Sequence, residues 1–396
     1  MKPRMLSTVT VAALAALALS GCVANSSTNG AASVTVNSSA SACTLSAASA
    51  PSGTIHFSVS NSSDKVTEFY VLAEDGLRIV GEVENVTPGV KRQLTVQAKP
   101  GSYYTVCKPG MVGDGVGKAA FTVTDSGTSV KLAGDLTQQG EAAATNYIAY
   151  VKDQSGRLLT ATKAFTNAYL AGDDDTARSL YPTARANYER IEPVAESFGD
   201  LDPELDFREA DVAEGETWTG WHRIEKDLWP PAPAQNSGTT YVALTKAERT
   251  SFADKLTVNT QQLYDAVHAK SYSVSLDAIS NGAIGLLDEV ANGKITGEEE
   301  IWSHTDLWDF QANLEGARVA YEGVRDIASS KNPSLVKQID ARFASLEKQL
   351  AAYGSLEKGF TFYNDLSTAE VKSLSNGVNA LSEPLSQLTA VVVGEG

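Results

Sequence analysis

His222 and Glu225 are the residues of this chain whose types and spacing are best suited to chemistry. On a helix turning about 100° per residue, Trp218, Trp221, Ile224, Leu228 and Trp229 fall in one apolar arc, and Arg223, Lys226 and Asp227 fall on the opposite, solvated side. His222 and Glu225 lie inside the apolar arc. An unpaired carboxylate aimed at a core costs several kcal/mol, so it must be neutralised, hydrogen-bonded or bound to a cation. An imidazole one turn away supplies either a hydrogen bond that locks the packing or the next metal ligand, and both readings stand at this point.

Other acids could complete such a site. Leu180, Ala184, Tyr188, Ile191, Ala195 and Phe198 mark the buried arc of an earlier helix, with Glu192 at its margin and Glu189 one step further out. Asp206, in the polar connection 199–211, is within reach. Glu289 sits just off the apolar arc of its own helix, and His304 and Asp306 read as capping or surface residues. Carboxylates with one imidazole suit hard or borderline cations, iron above all, with manganese, calcium and copper as competitors. Neither His-Glu-x-x-His nor its inverse occurs, so a catalytic zinc peptidase is hard to build here. Gly-x-Ser-x-Gly and phosphate-cradling glycine loops are missing too, which leaves serine hydrolysis and nucleotide chemistry unsupported.

The elements that must position these residues change character along the chain. Its 396 residues suggest two domains, and a formal charge of −16 without any basic run argues against nucleic acid. Lys2 and Arg4 precede an apolar run, Val9 to Leu19, that ends in Leu19-Ser20-Gly21-Cys22, the pattern of a lipoprotein signal. The expected leader is 1–21, with Cys22 lipidated and 22–42 a flexible tether of Ser, Asn, Thr, Ala and Gly. Over 43–137, short alternating runs at 54–59, 66–72, 77–84, 91–98, 102–107 and 119–124 are divided by Asp-Gly and Pro-Gly turns, which predicts a β-sandwich. Over 138–396 helical periodicity predicts a bundle, with helices at 146–171, 174–198, 214–228, 247–269, 275–291, 297–326, 333–353 and 367–388. Thr296-Gly297-Glu298-Glu299 reads as the N-terminal cap of the sixth.

With Cys22 lipidated, Cys43 and Cys107 remain, both in the β domain. A structural disulfide is the default in an oxidising compartment. The alternative is a metal site of Cys43, Cys107 and a carboxylate such as Glu68. Cys107-Lys108-Pro109-Gly110-Met111 is similar to a cupredoxin metal loop, but the two imidazoles that blue copper needs are lacking, since His56 is the domain's one histidine.

Gly220-x-His222-x-Ile224-Glu225 followed by Leu228-Trp229 resembles the G-x-H-x-x-E signature of imelysin-like proteins. Tyr188 to Pro193 and Ile301 to Phe310 resemble, in particular, the members of that family that belong to Efe-type iron-uptake systems and carry an N-terminal cupredoxin-like domain. The resemblance implies capture of iron, ferric or ferrous, outside the cytoplasmic membrane and its delivery to an Efe-type permease alongside a haem-containing peroxidase. It further implies a helical metal site of His222, Glu225, Glu189, Glu192 and Asp206, and a cupredoxin-like site of Cys43, Glu68 and Cys107 for copper or iron. The expected protein is thus a lipid-anchored, non-enzymatic metal carrier of the cell envelope. A metallohydrolase acting on cell-wall peptides and a disulfide-stapled adhesin are the readings from other classes.

Overall fold

Strict alternation builds the first half of the chain. The computed structural model describes residues 32–127, 136–292 and 294–393, so the leader and Cys22 lie outside the described residues. Nine strands form two facing sheets: β1 (Ala32–Ser38), β2 (Cys43–Leu45), β4 (Gly53–Asn61) and β7 (Lys91–Ala98) in the order β2-β1-β4-β7; and β3 (Ser49–Pro51), β5 (Thr67–Leu72), β6 (Ile79–Val86), β8 (Gly101–Cys107) and β9 (Val116–Thr124) in the order β3-β9-β8-β5-β6. Their inner faces meet at Phe57, Phe69 and Phe121, whose ring centroids lie 5.4 and 5.6 Å apart. Such tilted aromatic packing is the favoured geometry for a sandwich core.

β1 occupies part of the stretch expected to be tether. Val34 and Val36 alternate there with Ser and Thr, and pair in parallel register with Phe57 and Val59 of β4. A segment of that composition offers little to bury on its own, and it is the existing sheet that recruits it.

Ten α-helices follow: α1 (Leu136–Ala171), α2 (Asp174–Glu189), α3 (Leu201–Asp206), α4 (Trp221–Leu228), α5 (Lys246–His268), α6 (Leu276–Asn292), α7 (Asp306–Lys331), α8 (Pro333–Leu350), α9 (Thr368–Leu385) and α10 (Leu388–Val393). Their boundaries follow local chemistry. Asp173 accepts from the Thr176 amide, Thr245 and Ser367 form capping boxes with Glu248 and Glu370, and Asn332 caps α8 ahead of Pro333. None of these helices is long and apolar enough to cross a membrane.

The two halves pack directly on one another. Tyr70, Leu72, Ile79 and Val106 of the sandwich meet Ala149 of α1, and beside them Lys108 pairs with Asp153 in full burial. The long α1 therefore serves both cores.

Two expectations change here. Lys226 and Asp227, expected on a solvated side, are 7% and 8% exposed. Lys226 donates to both oxygens of Glu209, and Asp227 accepts from Tyr169, Tyr241 and the Leu244 amide, so the chain leading into α5 folds over that face. Cys43 and Cys107 are joined in the disulfide that was the default reading, so it is the alternative, a thiolate metal site with Glu68, that gives way. The bond links β2 to the end of β8, and Gly117 passes so close to Cys43 that a Cβ there would collide with its backbone. Glu68 accepts from the Tyr70 hydroxyl at 2.5 Å, and burial, opposed by that bond and by Lys108, pushes its carboxyl up to about 7.

Candidate metal centre

Four separate segments of the helical domain converge on His222. It sits in the first turn of α4, whose N-cap, Gly220, has φ +88° and lies so close to the backbone of Leu205 that any side chain would collide with its carbonyl. Glycine is needed on both counts, for the left-handed backbone and for the approach. That approach docks the end of α3 against α4 and sets Asp206 beside the imidazole. The third segment, Glu299 and Glu300, runs between a 3₁₀ turn at Lys294–Thr296 and α7. The fourth is the end of α2, which carries Arg185 and Glu189.

Both nitrogens of His222 face carboxylates. Nε2 lies 3.6 Å from Asp206 Oδ1 and 3.5 Å from Glu299 Oε1; Nδ1 lies 3.3 Å from Glu225 Oε2 and 3.9 Å from Glu300 Oε1. Two ligand sets therefore share one imidazole: Asp206, His222 and Glu299 on one side, and His222, Glu225 and Glu300 on the other, each with its donor atoms within 4.8 Å of one another. Glu225 is already well satisfied, because Oε1 accepts from the amides of Trp302 and Ser303 at 3.1 and 2.7 Å. Nε2 is different. It is buried and makes no well-formed hydrogen bond among the described residues, only the longer ion-pair contacts to Asp206 and Glu299. A buried nitrogen held only at ion-pair distance from two carboxylates suits the Asp206 side to a cation that takes the place of the imidazole proton.

That side also has an exit. Asp206 and Glu299 line a cleft of about 910 Å³ whose wall carries Glu192, Asp202 and Glu289. The acidic lining attracts cations and disfavours anions. The Glu225 and Glu300 side is closed, both residues being wholly buried.

The acids of this region are held by two buried cations. Arg185 pairs with Asp206 and Glu189, lies 2.7 Å from Glu300, and approaches Glu299 and Asp309 at 3.6 and 3.7 Å. Lys294 lies 2.9 Å from Glu189 and from Glu192, and Asn313 donates to both. Carboxyls still outnumber these cations, and burial decides which keep a proton. Burial, opposed by Arg185 and reinforced by Glu189, pushes Asp206 up to about 7. Burial and the neighbouring Glu225, against Arg185, bring Glu300 to about 7. Glu299 goes the other way, since Lys294, His222 and Arg185 outweigh its burial and hold it well below the usual carboxylate range. His222 is pulled down by burial and by Arg185, but Glu225, Glu299 and Glu300 prevail and raise it to about 10.

The structure sets His222, Glu225 and Asp206 side by side, and links Glu189 and Glu192 to them through Arg185 and Lys294. Glu189 is paired with Lys294 and Arg185 and Glu192 with Lys294, and both accept from Asn313, so they form a supporting layer beside the imidazole. Nearest the imidazole, besides Glu225 and Asp206, stand Glu299 and Glu300. The helix expected from 297 begins at Asp306 instead, with the Asp306 carboxylate accepting the Glu300 amide and 299–300 turned inward. Three successive glutamates look like a solvated first turn, and only their position directly ahead of Ile301-Trp302 hinted otherwise. Asp306, expected at a cap or on the surface, does begin α7 but is buried; His304 lies on the rim with φ +59°.

The imelysin family model matches residues 143–388, the whole span of the elements just described. A cupredoxin-like domain model matches residues 10–118. The chain is 36% identical over 343 residues, 86% of its own length and 86% of theirs, to the iron uptake system component EfeO of Escherichia coli K12, of Escherichia coli O157:H7 and of Shigella flexneri. The chain belongs to the EfeO family. Its cupredoxin-like and imelysin domains stand in the order expected, sandwich first and bundle second. Within this EfeO-family fold, the glycine, histidine and glutamate of the G-x-H-x-x-E signature have separate physical roles. Gly220 admits α3, His222 presents two nitrogens, and Glu225 fixes the imidazole against the 300–303 segment.

Proposed function

We propose that this protein captures iron outside the cytoplasmic membrane and passes it to a membrane permease, the cation being held by Asp206, His222 and Glu299 with Glu225 and Glu300 behind. The observation that carries the reading is the buried Nε2 of His222, loosely held between the carboxylates of Asp206 and Glu299 at the inner end of an acidic cleft. Relatives named as components of an iron uptake system support iron as the cargo. Iron accepts oxygen donors with one imidazole, and the acidic cleft raises the local concentration of cations at its mouth.

Each group has a task in holding and releasing the ion. Glu299, kept ionised by its cationic neighbours, is the standing negative ligand. Asp206 lies at the rim and titrates near neutrality, so it couples binding to proton exchange. Arg185 and Lys294 balance the remaining acids, which keeps the site from collapsing by mutual repulsion when no cation is bound. A lipid anchor at Cys22, an Efe-type permease as acceptor and a haem-containing peroxidase alongside complete the proposal. His222 and Glu225 are fully buried, which suits storage of an ion better than attack on a cell-wall peptide. The copper or iron site expected at Cys43, Glu68 and Cys107 is not carried forward, because the two sulfurs are bonded to one another.

The test is metal content after equilibration with iron. His222→Ala and Glu299→Gln each remove one equivalent while helical circular dichroism is kept. Unchanged stoichiometry in both variants defeats the assignment.

A further inference from the structure

A second cavity, with none of the metal-centre residues in its wall, lies where the sandwich meets the bundle. It measures about 440 Å³ and takes Arg78, Lys99 and Tyr103 from one half and Arg318, Arg325 and Asp340 from the other. In a chain with a formal charge of −16, four basic side chains against three acids, Glu74, Glu322 and Asp340, make this hollow locally basic. Three have partners already: Lys99 with Asp326 at 2.7 Å, Arg325 with Asp340 at 2.5 Å, and Arg318 with Glu347. Arg78 differs. Its buried Nε–H has no acceptor among the described residues.

Arg78 is also held in place. The Asp75 carboxylate accepts the amides of Leu77 and Arg78 at 2.8 Å, and the Arg78 carbonyl accepts from Ala73 at 2.8 Å, so the backbone that carries the guanidinium is fixed. A buried donor left without an acceptor costs about 1–3 kcal/mol, and a pre-positioned guanidinium fork matches the paired oxygens of a carboxylate or phosphate. Glu322 in the same wall approaches Arg325 at 3.8 Å, and burial raises its carboxyl despite the pull of Arg78, Arg325 and Arg318. The hollow falls in the size range of small-ligand sites, on the order of 300–1,000 Å³.

We propose that this cavity binds a small multivalent oxyanion, a carboxylate or phosphate compound, clamped by Arg78 from the sandwich and by Arg318 and Arg325 from the bundle. The ligand touches both halves, so its binding strengthens their packing. This is a different site, ligand class and electrostatic sign from the metal centre, and it stands independently of the iron assignment.

Calorimetric titration of the full chain at low ionic strength, with citrate and with inorganic phosphate as separate probes, tests it. Saturable one-to-one binding of either probe is expected, weakened at least about tenfold by Arg78→Gln and left unchanged by Lys372→Gln on the exposed face of α9. Arg318→Gln gives a second reading should the first variant fold poorly. Saturation by citrate alone assigns the site to carboxylates, by phosphate alone to phosphates, and by both to the shared oxyanion chemistry. No saturation of either probe by about 10 mM, or binding indifferent to both Arg variants, overturns the proposal.

Discussion

If a cation binds at His222 as proposed, it displaces protons, and the titrating groups around the imidazole set the expected number. The imidazole titrates at about 10 in the metal-free protein, and Asp206 and Glu300 at about 7. At pH 7 the imidazolium is essentially fully protonated and each carboxyl about half so, which makes the expected release about two protons per ion, one from His222 and the rest shared. Removing the imidazole proton at pH 7 costs about 4 kcal/mol, three pH units at about 1.4 kcal/mol each, so apparent affinity at pH 7 is about a thousandfold below its limit. The sign follows: a cation competes with protons at raised-pKa ligands, so affinity rises with pH. From pH 7 to 9 it gains about tenfold per unit, and below pH 7 the slope steepens as Asp206 and Glu300 also take up protons. Titration with manganous ion, soluble across this range, in two buffers of different ionisation enthalpy measures both quantities. A flat affinity between pH 6 and pH 9 with no proton released to buffer would refute the reasoning.

Replacing Arg185 by Met leaves Glu189, Glu300 and Asp309 buried without their guanidinium, and urea unfolding should show a loss of about 3–5 kcal/mol, part of which is recovered in excess divalent cation. Glu192→Gln, one step back from the imidazole and held by Lys294, is expected to keep the bound equivalent that Glu299→Gln loses, as read by metal analysis. Reducing the Cys43–Cys107 bond opens a 64-residue separation and should cost about 4 kcal/mol in denaturant midpoint experiments, and a thiol assay on the native chain should find neither cysteine free. In the sandwich, Glu68 and Glu82 are raised by burial to about 7 and about 8, so the fold keeps protons that the unfolded chain has lost. Their contribution to stability is complete below about pH 4.5 and disappears as pH climbs through 7 to 8; melting temperatures across that window should fall, and Glu68→Gln should flatten part of the decline.

How far the sequence carried can be judged from single residues. His222 and Glu225 were legible because a polar side chain on an apolar arc breaks a periodicity, and the break survives into the fold. Asp206 was found through chain proximity, and Gly220 shows why proximity became contact. Glu299 and Glu300 were hidden because a run of acids ahead of a helix normally faces water, and only the inward turn before α7 reverses that. Nothing in a sequence shows that Lys294, more than a hundred residues along, reaches Glu189 and Glu192. Lys226 and Asp227 were misplaced for the same reason: exposure belongs to whatever covers a helix, and here that cover comes from Glu209, Tyr169 and the chain ahead of α5. The sandwich strands from β4 to β9 carry their alternation openly, whereas β1 is too polar to announce itself.

Iron-edge anomalous diffraction from crystals equilibrated with iron tests the central claim most directly. The account predicts a peak within about 2.0–2.3 Å of His222 Nε2, with carboxylate oxygens of Asp206 and Glu299 completing its near neighbours. Iron density confined to other acids, with His222 Nε2 still facing Asp206 and Glu299 at the separations seen without metal, would contradict it.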